Sequence, residues 1–196
     1  DAERGLAADP WPELFQQPQK TPVDVVRDAL CSVASRGGWR LIVTPPESHR
    51  SMGPQLAKQL EACAPTTFVS FERAVFEAID SDFATYERAS RFAAQRRRLA
   101  RKAEDVLEAL VSQHSKPGNV VVLGHTALLH TCGATHLVRK LYDWTNGGSK
   151  GLWVLVIPGV VHQTQPRFLE RDAVFGLAGQ VLPLSGDTPP TGTPSP

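Results

Sequence analysis

Short runs of apolar residues alternate along this chain with stretches in which apolar residues recur every three or four positions. The runs predict buried strands, and the recurring positions predict helices that pack one face on those strands. Strand signals occur at 39–43, 66–71, 119–123 and 151–157, with a weaker one at 178–184. This alternation is typical of an α/β fold, a parallel sheet of about four to five strands with helices on both faces.

Residues that favour helix and strand boundaries support this division. Thr21 and Pro22 begin the first helix, because threonine caps a helix and proline suits its first turn, and Gly37 ends it. Pro158 and Gly159 are expected to end the strand at 151–157. Further helices are predicted at 51–63, 72–79, 86–114 and 127–142. The long helix should bury one face, made of Phe92, Leu99, Val106 and Leu110.

The two ends of the chain differ in composition from its middle. Residues 1–21 combine three prolines with Trp11, Leu14 and Phe15, which predicts a linker arm with one docking point. Residues 185–196 contain almost no apolar side chain, so burial cannot offset the entropy of ordering them and a disordered tail is predicted. One α/β domain at 22–184 is therefore predicted.

Composition and charge exclude several functions. The 21 basic residues balance 20 acidic ones, so the chain as a whole has no field that attracts nucleic acid or an acidic membrane. No run approaches the roughly 18 apolar residues of a membrane helix, and no membrane partner is predicted. The three cysteines, Cys31, Cys63 and Cys132, are far apart in sequence and do not have the spacing of a metal site. Three unpaired thiols are best suited to a reducing compartment, so a cytoplasmic location is predicted.

Ligands of parallel sheets bind where strands end, which points first to the turn at 44–51. This turn occupies the place of a phosphate-binding loop but lacks the glycines and the lysine, and Pro45 and Pro46 lack amide donors. The plainer interpretation is a connecting loop with Ser51 as helix cap. The functional interpretation is an alternative anion site at a helix N-terminus. Its side chains would be those of Ser48, His49, Arg50 and Ser51.

The second turn follows the strand at 119–123. His125 could act there as a base or a ligand near neutral pH, together with Thr126. No acidic residue ends this strand, so the residue that holds magnesium in a nucleotide hydrolase is missing. The plainer interpretation is that Thr126 caps the next helix and His125 lies on the surface.

Two other constellations fail on spacing. His125, His130 and His136 with Cys132 match no usual zinc pattern, so no metal or other cofactor is predicted. Ser48, His125 and Asp143 could be written as a catalytic triad, but Ser48 lacks the sharp glycine-flanked turn that exposes a nucleophile. The sequence thus contains no complete catalytic motif.

The strongest local charge lies in the predicted long helix. Its basic residues are Arg91, Arg96, Arg97, Arg98, Arg101 and Lys102. Cations repeated along a helix can bind the phosphates of a nucleic acid. The alternative is a solvated face held by salt bridges to nearby acids, namely Glu87, Glu104, Asp105 and Glu108.

Two blocks of sequence carry a family resemblance. They are Val121–His130, which leads into Leu137–Asp143, and Gly151–Pro158, preceded at a distance by Gly38–Pro46. They resemble the C-terminal region of the PglW serine/threonine kinases of bacteriophage-exclusion (BREX) systems. The resemblance implies a phage-defence setting with a methyltransferase, an ATPase and a phosphatase-like protein as partners. It implies no kinase activity, because the motifs of a kinase active site are absent.

These observations leave three hypotheses. The first is a noncatalytic protein-interaction or regulatory module of a bacterial defence system, built on a nucleotide-hydrolase-like sheet without its phosphate loop. The second is a degenerate nucleotide-binding or hydrolase domain whose site spans the two turns. The third is a nucleic-acid-binding module that uses the arginine-rich helix.

Overall fold

The fold of the chain is seen in a computed structural model that describes residues 20–79, 92–169 and 171–184. The predicted tail, and the predicted arm up to residue 19, lie outside these ranges. The strands are β1 (Gly38–Thr44), β2 (Thr66–Ser70), β3 (Val120–Gly124), β4 (Leu152–His162), β5 (Gln165–Phe168), β6 (Asp172–Ala173) and β7 (Val181–Pro183). Five of them form a parallel sheet in the order β2-β3-β4-β1-β7.

Helices cover both faces of this sheet. They are α1 (Pro22–Cys31), α2 (His49–Leu60), α3 (Phe71–Ala78), α4 (Ala93–His114), α5 (Ala127–Thr131) and α6 (Leu137–Thr145). One core lies under α1 and α2 and includes Leu30 and Leu56, and the other lies under α3 to α6 and includes Trp39 and Trp153. The predicted α/β class is confirmed, and the layout is consistent with a Rossmann-like or P-loop-like arrangement.

The first helix shows why local signals were informative. The amide of Asp24 donates to the hydroxyl of Thr21 at 3.2 Å, and the amide of Thr21 donates to the Asp24 carboxylate at 3.1 Å. This reciprocal pair is a capping box, which satisfies two amides that a helix start leaves free. The predicted start at Thr21 and Pro22 is therefore confirmed.

Two predicted boundaries and one predicted core residue are wrong. The helix predicted at 127–142 is two helices, α5 and α6, because the chain turns at Gly133, whose φ of 70° favours glycine. β4 continues through Pro158 and Gly159, since β3 pairs with it only as far as Leu155 and a proline is tolerated where one neighbouring strand has ended. Phe92, expected in the core, is 62% exposed.

The cysteines differ most from expectation. Cys31 at the end of α1 and Cys63 just after α2 form a disulfide, with their Cα atoms 5.6 Å apart. The 32-residue separation gave no sign of this pair, which forms because α1 and α2 pack on the same face of the sheet. Disulfides persist mainly in oxidising compartments, so the cysteines do not support the expected cytoplasm. In the described part of the chain, each helix is too short or too polar to cross a bilayer.

The disulfide can be checked by counting thiols. In denaturant without reductant, we expect DTNB to modify one thiol per chain, that of Cys132, and three thiols after reduction. Cys132→Ser should lower the first count to zero. Three reactive thiols without reductant, in protein purified under oxidising conditions, would contradict the pairing.

Candidate functional site

The two turns singled out in the sequence lie side by side at the carboxyl edge of the sheet. β1 and β3 both run parallel to β4, which lies between them, so their ends point the same way. The amide nitrogen of Thr126 lies 3.4 Å from Nε2 of His49. Nε2 of His125 lies 3.0 Å from the carbonyl oxygen of Arg50. The geometric condition for one site shared by the two turns is therefore met.

His49 is the buried centre of this edge, with 4% of its surface exposed. It begins α2, and its Nε2 lies 3.3 Å from the carbonyl oxygen of Val156 in β4, to which the hydroxyl of Thr126 donates at 2.6 Å. Burial lowers the pKa of His49 to about 4. The hydrogen bond to Val156 raises this pKa, and the nearby His125 and Arg50 lower it further. The ring is therefore neutral at pH 7 and is bonded to its own chain.

His125 connects three elements at the same edge. Its Nδ1 lies 2.8 Å from the hydroxyl of Ser70, which ends β2, and its carbonyl accepts a hydrogen bond from the amide of Glu72 at 3.2 Å. Its φ of 52° lies in the left-handed region, which costs an L-residue about 1–2 kcal/mol. The hydrogen bonds of the ring and carbonyl hold it there. His125 is half-buried, and both of its ring nitrogens are engaged, so it is a surface histidine with partners in its own chain.

The hydroxyls of Ser51 and Thr126, which were predicted to cap helices, make other hydrogen bonds in the structure. Ser51 lies within α2, which begins two residues earlier than predicted, and its hydroxyl donates to the carbonyl of Ser48 at 3.1 Å. Thr126 occupies the N-cap position of α5, but its side chain makes no capping hydrogen bond. The hydroxyl of Ser48 lies 3.0 Å from that of Thr44 and donates to the carbonyl of Pro45 at 3.1 Å. These side chains therefore fill their hydrogen bonds within the chain.

Arg50 and the first turn of α2 retain part of an anion site. The amides of His49, Arg50 and Ser51 donate to no other residue that the structure describes, as is usual at a helix start. The guanidinium of Arg50 is 75% exposed and lies 3.3 Å from the carboxylate of Glu72, which neutralises it. Helix amides alone attract an anion weakly, without the lysine that a phosphate loop adds.

The metal and triad constellations do not assemble. Asp143 pairs with Arg139 at 3.1 Å, while Ser48 and His125 have the partners just described. Cys132 is buried, and burial raises the pKa of its thiol to about 11. The described residues include no group of three potential metal ligands.

Sequence reasoning missed three residues at this edge. Thr44 and Ser70 are the last residues of β1 and β2, and Glu72 follows two positions later. The rule that directed attention to the ends of β1 and β3 applies equally to β2. Thr44 lay inside the turn singled out at 44–51 without being named as a candidate, and applying the rule to β2 would have found Ser70.

The basic residues of α4 divide into two stripes. Arg96, Arg97 and Arg101 line a cleft between α4 and the turn that joins α5 to α6, while Arg98 and Lys102 lie outside it. None of the five forms an ion pair with a described residue, and Glu104 pairs instead with Lys140 of α6. Arg96, Arg97, Arg98 and Arg101 are exposed, so this face is solvated, but the predicted salt bridges to Glu104, Asp105 and Glu108 are not seen among the described residues. Arg91 and Glu87 lie outside the described ranges.

Known proteins add no further information on this site. Comparisons of the chain with protein-family models, with curated proteins and with solved structures found no match.

Proposed function

We propose that this chain is a noncatalytic protein-interaction or regulatory module, built on a nucleotide-hydrolase-like sheet whose ligand edge is closed by its own side chains. The observation that carries the proposal is the network around His49. The ring of His49 and the hydroxyl of Thr126 meet at the Val156 carbonyl, in the crevice where related layouts hold a ligand. A neutral histidine lacks the positive charge that favours phosphate binding, and Nε2 of His49 is already engaged by Val156 and Thr126.

The setting we propose is a bacterial anti-phage defence system of the BREX type. The compartment proposed with it is the cytoplasm, against which the Cys31–Cys63 disulfide counts. Its support is the resemblance of Val121–His130 and Gly151–Pro158 to the C-terminal region of PglW kinases. The partners would be other proteins of that system. Mixing the chain with the methyltransferase, the ATPase or the phosphatase-like protein of one such system should yield a stable complex with one of them on size-exclusion chromatography. Separate elution of every mixture would contradict this setting.

Nucleotide turnover separates the proposal from its enzyme alternative. With millimolar ATP or GTP and Mg²⁺, we expect phosphate release to equal that of a no-protein blank. The matched variants are His125→Ala and His162→Ala, because His162 is exposed at the end of β4. Release above the blank that His125→Ala abolishes and His162→Ala retains would overturn the proposal and favour a hydrolase site across the two turns.

A further inference from the structure

The strongest unassigned feature of the molecule is the cleft beside the first turns of α4. It has a volume of about 520 Å³ and shares no lining residue with the closed edge around His49. One wall is α4, and the other runs from His130 to His136, between α5 and α6. Clefts of about 300–1,000 Å³ are typical of small-ligand sites.

The length of α4 explains where this cleft lies. Its 22 residues extend about 33 Å, whereas the five residues of β3 span only about 17 Å. Because α4 ends just before the amino end of β3, its first turns extend beyond the carboxyl end of that strand. There they face the turn that joins α5 to α6, at the end of the sheet where α/β proteins bind ligands.

The cleft combines positive charge with open space. Arg97 and Arg101 are one helical turn apart on α4, and Arg96 flanks them, so their guanidinium groups can converge on one ligand. Ala93 and Ala100 lie between the arginines and leave room for it. These three arginines bond to no residue that the structure describes. Concave surfaces lined by charge of one sign focus the field and concentrate counter-ions.

The opposite wall supplies further donors and little negative charge. His136 is exposed on this wall. Nδ1 of His130 lies 2.9 Å from the carboxylate of Asp172, and its ring stacks on Phe168, which fixes its orientation. Glu104 is the one acidic residue among the described lining residues, and Lys140 neutralises it.

We propose that this cleft binds an oligophosphate, a group of two or more adjacent phosphates, carried by a nucleotide or free. The proposal goes beyond the function proposed above. A single phosphate ester carries about −1.5 to −2 charges near neutral pH, which is less than the three positive charges of the arginines. Two or more adjacent phosphates carry enough negative charge to pair with all three guanidinium groups. The described lining contains no phenylalanine, tyrosine or tryptophan on which a base could stack. The phosphates, rather than a nucleoside, therefore provide the recognition.

Two charge-matched double variants test the proposal. Arg97→Ala with Arg101→Ala removes two charges from the cleft, and Arg98→Ala with Lys102→Ala removes two from the same helix outside it. Alanine favours helix, so both variants should fold, which circular dichroism checks. In calorimetric titrations with tripolyphosphate at 50 mM salt, we expect saturable binding that the first variant weakens about thirtyfold and the second less than about threefold. Arg97→Lys with Arg101→Lys should weaken binding by an intermediate factor, because lysine keeps the charge but loses the fork of donors.

Three further ligands distinguish the sources and the competing class. If ATP binds no more tightly than tripolyphosphate, the phosphates alone are sufficient for binding. If ATP binds at least about tenfold more tightly, the ligand is a nucleotide. Adenosine alone should not bind. The absence of saturable tripolyphosphate binding would overturn the proposal. Equal losses in the two double variants, or duplex DNA that outcompetes tripolyphosphate, would also overturn it and favour a nucleic-acid surface along α4.

Discussion

Replacing Trp153 with alanine is expected to lower the free energy of unfolding by about 3–5 kcal/mol, the usual cost of removing a large aromatic side chain from a core. Trp153 has no exposed surface and lies in β4, opposite Val121 of β3 and Trp39 of β1. At this chain length the loss should lower the melting temperature by roughly 6–20 °C. Thermal or urea unfolding measures it.

The matched control is Trp153→Phe. The indole nitrogen of Trp153 is buried without a hydrogen-bond partner in the described part of the chain. Phenylalanine removes that group while keeping most of the ring volume, so we expect a change below about 1.5 kcal/mol. A Trp153→Ala protein that melts within about 2 °C of the wild type would contradict the central position of β4.

Lowering the pH from 6.5 to 4 is expected to remove about 3 kcal/mol of stability through His49 alone. Burial holds the pKa of His49 in the folded chain at about 4, against 6.5 for an unperturbed histidine. Between these values the unfolded chain binds a proton that the folded chain does not. The stabilisation is therefore fully present above pH 6.5 and is lost as the pH falls towards 4.

The variant His49→Gln isolates this contribution from that of the carboxylates. The difference in unfolding free energy between wild type and His49→Gln should shrink by about 3 kcal/mol from pH 7 to pH 4. His162→Gln, which replaces an exposed histidine, is the matched control, and at pH 7 it should change the unfolding free energy by less than about 0.5 kcal/mol. Parallel profiles for wild type and His49→Gln would show that His49 is not buried in its neutral form.

The fold was predictable because its signals are local. Consecutive residues determine the apolar runs of β1, β3 and β4 and the helix cap at Thr21. Each of these features was predicted within a few positions, apart from the carboxyl end of β4. The strand order was not predictable, since the pairing of β1 with β4 joins segments more than a hundred residues apart. The same holds for Cys31 and Cys63, which meet only because α1 and α2 share a face.

The candidate site was predictable in position but not in chemistry. The ends of β1 and β3 were singled out in the sequence and lie side by side in the structure, yet the contacts of His49 and His125 depend on details that no motif encodes. One is the left-handed backbone of His125, and another is the Val156 carbonyl, a backbone atom of a distant strand. The basic residues of α4 were evident in the sequence. Which of them line the cleft and which lie outside it depends on the position of the opposite wall near His136, which the sequence does not show.

The most direct test of the central claim is a map of amide chemical shifts during titration with MgATP. A closed carboxyl edge predicts that the amides of residues 44, 47–52 and 124–127 keep their positions at saturating nucleotide, while any shifts cluster around Arg97, Arg101 and His136. Saturable shifts at Ser48, His49 and Thr126 would contradict the account, because they would show that the edge opens and holds the nucleotide.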